Sequence, residues 1–423
     1  MKISNRLSLL AAAALLTVSA GAQINSPYSK FGYGLLNDNA TASQRQMGGV
    51  GYAMRSGRQI NVMNPASYAG ADTLTFLFDM GVDFTTVSMK DAGSGDIPAS
   101  SFNTQGGGLD YITMQVPIGR RMGASLGILP FSSVGYSFGS EIANGVNSRQ
   151  GSGGINQLYL GYAARLFKGF SVGANFSYLF GTTVNDVYIT TDNGSTSLFE
   201  QVMQVRDWRV QFGVQYAFDI NPDNTISAGL VYSPGKTLLG HARVTKYDVD
   251  QDTAPDTIGY SKLRNHASLP DTWGAGLSYR WQKRLLVEAD FTYQPWSGVK
   301  TLKMPNFEST RFADRWQIGL GAEFTPAVRG SYFKRVTYRA GGASPPGVLY
   351  NRDYMMVGDN HVREYGISCG FGFPAISSKT VINLGFEYRR RQATPNPLLR
   401  ESYFNIRLGI NFNELWFFQN KIK

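Results

Sequence analysis

From residue 73 onward the chain alternates apolar and polar positions in stretches of roughly ten residues, each followed by a turn-rich segment. In RWQIGLGAEF, Trp316, Ile318, Leu320, Ala322 and Phe324 fall on one parity, and Arg315, Gln317, Gly319, Gly321 and Glu323 on the other. Trp273, Ala275, Leu277 and Tyr279 repeat the division, as do Ile382, Leu384, Phe386 and Tyr388, and then Phe404, Ile406, Leu408, Ile410 and Phe412. A period of two puts each set on one face of a strand. Strands of soluble sandwiches run about 5 or 6 residues. An outer-membrane barrel needs roughly 9 to 11, apolar and aromatic outside and polar inside. The pattern predicts the barrel.

Connection lengths agree. Short links at 119–121, 167–169, 219–224, 282–284, 325–331 and 374–379 alternate with longer polar stretches, the longest spanning 236–266. Such links join about fourteen strands, an even number that puts both termini on the periplasmic side. The predicted fold is all-β: a transmembrane up-and-down antiparallel β-barrel over residues 73–423. Residues 23–72 do not alternate; they are glycine-rich and irregular. A barrel of this size has room for them in its lumen, where irregular backbone is tolerated.

One strand departs from the theme. SLGILPFSSVGYSF (125–138), the third by count, carries Pro130, which cannot donate to a ladder. Leu126, Ile128, Val134, Tyr136 and Phe138 share the parity expected to face lipid. The opposite parity, elsewhere Gly, Asn, Gln, Arg or Glu, here holds Leu129 and Phe131.

The first residues refine the placement. Lys2 and Arg6 precede an apolar run from Leu9 to Ala20, and Ala20 and Ala22 form an A-x-A site, so residues 1–22 read as a secretory signal peptide. No later stretch is apolar for the roughly 20 residues of a spanning helix. Cys369 is the only cysteine, which excludes a disulfide scaffold and a lipid anchor, and its alternating context suggests packing. The net charge of +10 is scattered; its one dense run is Arg389-Arg390-Arg391. Without a recognition motif this argues against nucleic acid and for anionic lipid headgroups.

Catalytic chemistry finds little support. The three histidines, His241, His266 and His361, fall in or beside predicted outer loops, and no metal-ligand cluster accompanies them. GYSFG (135–139) matches a nucleophile motif but ends a strand with no helix after it, so Ser137 lacks the elbow. Gly48, Gly49 and Gly51 lack the strand and Lys-Ser/Thr of a phosphate loop and suit tight turns. The expectation is no enzyme, no cofactor and no metal.

The stretch QRQMGGVGYAMRSGRQINVMNPASY (44–68) resembles the hatch of the FadL/TodX family of outer-membrane transporters for long-chain fatty acids and hydrophobic compounds. Gly48 and Gly49 lead there to Asn64, Pro65 and Ala66. LPDTWGAGLSYRW (269–281) and ADFTYQPWSGVKTL (289–302) are similar to later strands of that family. The resemblance implies about 14 strands, a hatch at 23–72 inside the lumen, and a kinked third strand opening the wall at Leu129, Pro130 and Phe131.

It also implies passive uptake of a fatty-acid-like molecule, driven by partition at about 0.8 kcal/mol per buried CH₂. Met47, Met54 and Met63 are pocket candidates, with packing of the hatch as the alternative. Arg209, Arg280 and Arg315 are candidates for a ligand carboxylate. Pairing of such cations with Glu288, Asp290, Glu323 and Glu387 on neighbouring strands is the alternative. The expected partners are this ligand and outer-membrane lipid, with the protein a monomer. A rival is a barrel of the same kind acting as scaffold or shuttle in protein secretion.

Overall fold

The computed structural model describes residues 25–91, 93, 99–142, 145–249, 256–264, 267–282, 284–299, 311–327, 329–343, 351–375, 379–397 and 399–415. The signal-peptide reading, His266 and the last eight residues lie outside these.

Fourteen antiparallel strands close a barrel. They are β1 (Thr75–Asp91), β2 (Ser100–Ile118), β3 (Met122–Ile142), β4 (Gly145–Phe167), β5 (Phe170–Thr191) and β6 (Thr196–Asn221). Then come β7 (Asn224–Ser233, continued by Gly240–Val249) and β8 (Asp256–Arg264, continued by Thr272–Trp281). Next are β9 (Leu285–Gln294), β10 (Arg315–Phe324) and β11 (Thr337–Ala343, continued by Asn351–Val357). β12 (Asn360–Pro374), β13 (Val381–Thr394) and β14 (Leu399–Leu415) complete it. β14 pairs with β1 along the whole of both, which shuts the barrel.

The faces are inverted relative to a soluble protein. Leu160, Phe212, Leu230, Leu277 and Leu320 are exposed on the outside, whereas Asp79, Gln215, Glu288 and Asn405 are buried within. Cys369 lies on the exposed outer face rather than in a protein core. β6 has 26 residues, far beyond the roughly 9 to 11 that cross a bilayer. The stretch expected as the longest loop instead contributes to this taller wall. His241–Asp248 pairs with both β6 and Asp256–Arg264. Strand beyond the lipid needs no apolar face, so its sequence reads as a polar loop.

Residues 26–72 lie against the inner wall. Their regular structure is a short 3-10 helix (Pro27–Lys30), a two-residue strand (Leu35–Leu36), one helical turn (Ala42–Arg45) and a second 3-10 helix (Pro65–Gly70). Inward glycines allow the backbones to touch. A Cβ on Gly229 would stand 1.9 Å from the Tyr52 carbonyl oxygen, and one on Gly341 2.1 Å from the Met47 carbonyl carbon. Gly123 and Gly173 receive Tyr68 and Pro65 in the same way. The glycines that alternate with apolar residues in the sequence are therefore a girdle cut to fit this segment.

The wall is broken between β2 and β3. Their ladder runs from Ile118↔Met122 to Ile112↔Ile128 and stops two residues before Pro130. On the other side of β3 the register to β4 shifts between Pro130 and Ser132, leaving Phe131 as the bulged residue. A one-residue slip turns every later side chain to the opposite face. Leu126 points outward, but Val134 and Tyr136 are buried, so the expectation of one lipid-facing set through Phe138 is corrected at the bulge.

Candidate functional site

The open edge of β3 is capped by the N-terminal segment. Leu35 and Leu36 pair antiparallel with Ser133 and Ser132. The Asn37 amide donates to the Phe131 carbonyl at 3.0 Å, and the Ser26 amide donates to that of Gly135 at 2.6 Å. The Ser29 hydroxyl lies 2.9 Å from the same Gly135 oxygen. Pro27 starts the first 3-10 helix, and Tyr28 anchors it by donating to the Leu399 carbonyl at 2.6 Å. Backbone that lipid cannot satisfy is satisfied here from inside.

Behind the cap is a cavity of about 110 Å³, lined in part by Leu36, Met63, Phe131, Trp296, Arg209 and Arg315. Arg209 is the unusual member. Its guanidinium stands 5.7 Å from the centre of the Phe131 ring and donates to the Thr272 hydroxyl at 3.2 Å. Among the described residues it has no carboxylate partner. Arg315, by contrast, pairs with Asp38 of the N-terminal segment at 3.2 Å. Burial pushes the Asp38 carboxyl up, but Arg315 and Arg45 together hold it below the usual carboxylate range.

The other candidates lie elsewhere. Leu129 packs in a core cluster with Ile60, Val62 and Tyr68. Met47 and Met54 pack with Val50 against Leu286, away from the cavity, so of the three methionines only Met63 reaches it. Arg280 donates to the Arg55 carbonyl at 3.1 Å, also away from it.

Gly48 and Gly49 both have φ of +76°, and the Gly48 amide donates to Ser368 at 2.9 Å. Asn64 is the N-cap of the second 3-10 helix, with Pro65 in its first turn. Its side chain accepts from the Ala66 amide at 3.1 Å and donates to the carbonyls of Tyr52 at 2.7 Å and Val214 at 3.1 Å. Asn-Pro-Ala is thus a cap and a bolt to the wall at once.

Two carboxylates read as partners for lumen arginines have another task. Asp290 accepts the amides of Gly51 at 2.6 Å and Tyr52 at 2.9 Å, and Glu288 accepts that of Ala53 at 2.8 Å. Sequence alone shows an acid and an arginine on neighbouring strands but not the backbone that descends between them. Glu323 does pair with Arg339, at 2.8 Å, and Glu387 with Arg407.

A closed fourteen-stranded barrel broken beside its third strand defines the class by its fold: a β-barrel of the FadL type. Solved structures share the fold. A Pseudomonas aeruginosa FadL homologue superposes with a TM-score of 0.62 at 13% identity, over 90% of this chain and 99% of that one. The Pseudomonas putida toluene transporter TodX gives 0.61 at 14%, over 90% and 99%. The CymD monoaromatic hydrocarbon channel gives 0.61 at 15%, also over 90% and 99%. The sequence profile of the BamG family matches residues 3–423, and the chain belongs to that family. Among curated proteins none matches.

Proposed function

We propose that the protein is a passive outer-membrane carrier for a compact hydrophobic molecule, with residues 23–72 as its hatch and the break at Pro130 as a lateral exit. The observation that carries this reading is the position of Phe131, which lines the cavity and also carries the carbonyl at the wall break. A ligand held there lies behind the Leu35–Asn37 cap. Both termini are then periplasmic. The cavity of about 110 Å³ favours a small molecule over a long acyl chain. A cavity of roughly 150 Å³ takes up benzene, whereas drug-sized pockets begin near 300 Å³. Toluene, the compound that TodX transports, is nearer this size than a long acyl chain is.

Cysteines at Leu36 and Ser132, Cα partners across the cap, in a Cys369→Ser background, test the exit. Oxidation is expected to stop uptake of labelled toluene into intact cells and reduction to restore it. Equal uptake in both states would reject the lateral route.

A second reading, a scaffold or shuttle in protein secretion, is favoured by the family match over the whole chain. It predicts co-purification with other envelope proteins and surface-protein levels that fall when the gene is deleted, with the oxidised variant fully competent.

A further inference from the structure

Two groups of cations in this molecule contrast. Inside the barrel Arg315, Arg339, Arg389, Arg391 and Arg407 all have carboxylate partners within 4 Å. At the short-turn end Arg120, Arg121 and Lys168 are exposed and have none among the described residues. These three belong to adjacent turns. The Arg165 amide donates to the Arg121 carbonyl at 2.7 Å, which ties the β2–β3 turn to the end of β4. Just toward the membrane, Ile118, Met122, Tyr162, Leu166 and Phe167 are exposed, and Phe167 stacks on Phe170 at 4.8 Å. An apolar, aromatic belt that ends in unneutralised cations matches acyl chains ending in phosphates.

Two more guanidinium groups stand just inside. Arg55 donates to the Gly169 carbonyl at 3.0 Å and Arg165 to that of Ala69 at 2.8 Å, so hatch and wall reach across to each other. Burial, and then the charge of Arg165, push the Arg55 guanidinium down to about 10. Asp219 opposes this from β6, and Asp72 is already engaged by Arg58 at 3.7 Å. Cations therefore outnumber carboxylates at this corner.

We infer that the paired turns at Gly119–Arg121 and Phe167–Gly169 bind the phosphate of an anionic phospholipid in the periplasmic leaflet. Arg120, Arg121 and Lys168 contact the headgroup, while Leu166 and Phe167 lie along its chains. The chemistry shared with free phosphate is the anion; the belt selects the lipid. Nothing in this proposal depends on what the lumen carries.

Native mass spectrometry of the detergent-purified protein with added phosphatidylglycerol or phosphatidylcholine tests it. Wild type is expected to retain phosphatidylglycerol preferentially, and the Arg120→Gln, Arg121→Gln, Lys168→Gln variant to lose about tenfold or more of that retention. Arg284→Gln, on another short turn, serves as control and is expected to behave as wild type. Equal retention by the triple variant, or an equal loss in the control, would overturn the site. Competition by inorganic phosphate would reassign it to a free anion. Unchanged strand content by circular dichroism separates lost binding from lost folding.

Discussion

The amide of Asn37 donates to the carbonyl of Phe131 at 3.0 Å, so the residue that the bulge removes from the β3–β4 ladder is engaged by the N-terminal segment instead. Cap and kink are one structure. Replacing Pro130 by alanine permits a regular strand and is expected to slow toluene uptake while the heat-induced unfolding of the barrel stays within about 1 kcal/mol of wild type. Uptake at the wild-type rate would detach the kink from transport.

Asp290 holds two amides of the segment from the wall. Asp290→Ala leaves both buried without an acceptor, at about 1–3 kcal/mol each. The segment should loosen while the strands remain paired. Planar-bilayer recording is expected to show ion conductance in the variant and almost none in wild type; silence in both would mean that Asp290 does not secure the closure.

The two cavity arginines should answer oppositely to removal. Arg315→Leu strips Asp38 of its nearer cation, and because that carboxylate keeps 34% of its side chain open the cost is about 1–3 kcal/mol. Arg209→Leu removes an unpaired buried charge and is expected to leave stability unchanged or raise it. Thermal denaturation followed by circular dichroism decides. A larger loss for Arg209 would indicate a partner outside the described residues.

Asp38 also sets a pH limit. Its carboxyl is held down in the folded protein, so its contribution is complete above the ordinary value and disappears as pH falls through the lower, folded one. Conductance is expected to stay low from neutral pH to about pH 4 and to rise below it. A rise between pH 6 and 8 would implicate some other group.

Gly229→Ala places a methyl group 1.9 Å from the Tyr52 carbonyl oxygen, where only backbone can yield. Overpacking of this kind costs about 1–3 kcal/mol. Hydrogen exchange at residues 50–54 should accelerate, with β7 itself protected as before; unaltered exchange would show that the girdle has slack.

What could be read from the sequence follows from these contacts. Alternation from Trp273 to Phe412 reveals the wall because lipid outside and water or plug inside impose a period of two on every strand. Parity counted along the chain puts Val134 and Tyr136 on the wrong face, because Phe131 adds one residue to the count. Asp290 and Glu288 look like partners for arginine because nothing in a list of residues reveals that amides of Gly51 to Ala53 arrive from more than two hundred positions away. The methionines divide for a similar reason: Met63 and Met47 are alike in composition, and only the path of the segment decides which one meets empty space.

The bare backbone of the inner girdle has one more implication. Gly123, Gly173, Gly229 and Gly341 offer no side chains to swing inward and take up vacated room. A chain trimmed of residues 26–72 would therefore not shrink to a narrower cylinder; it would be left an open pipe, and the membrane holding it would leak.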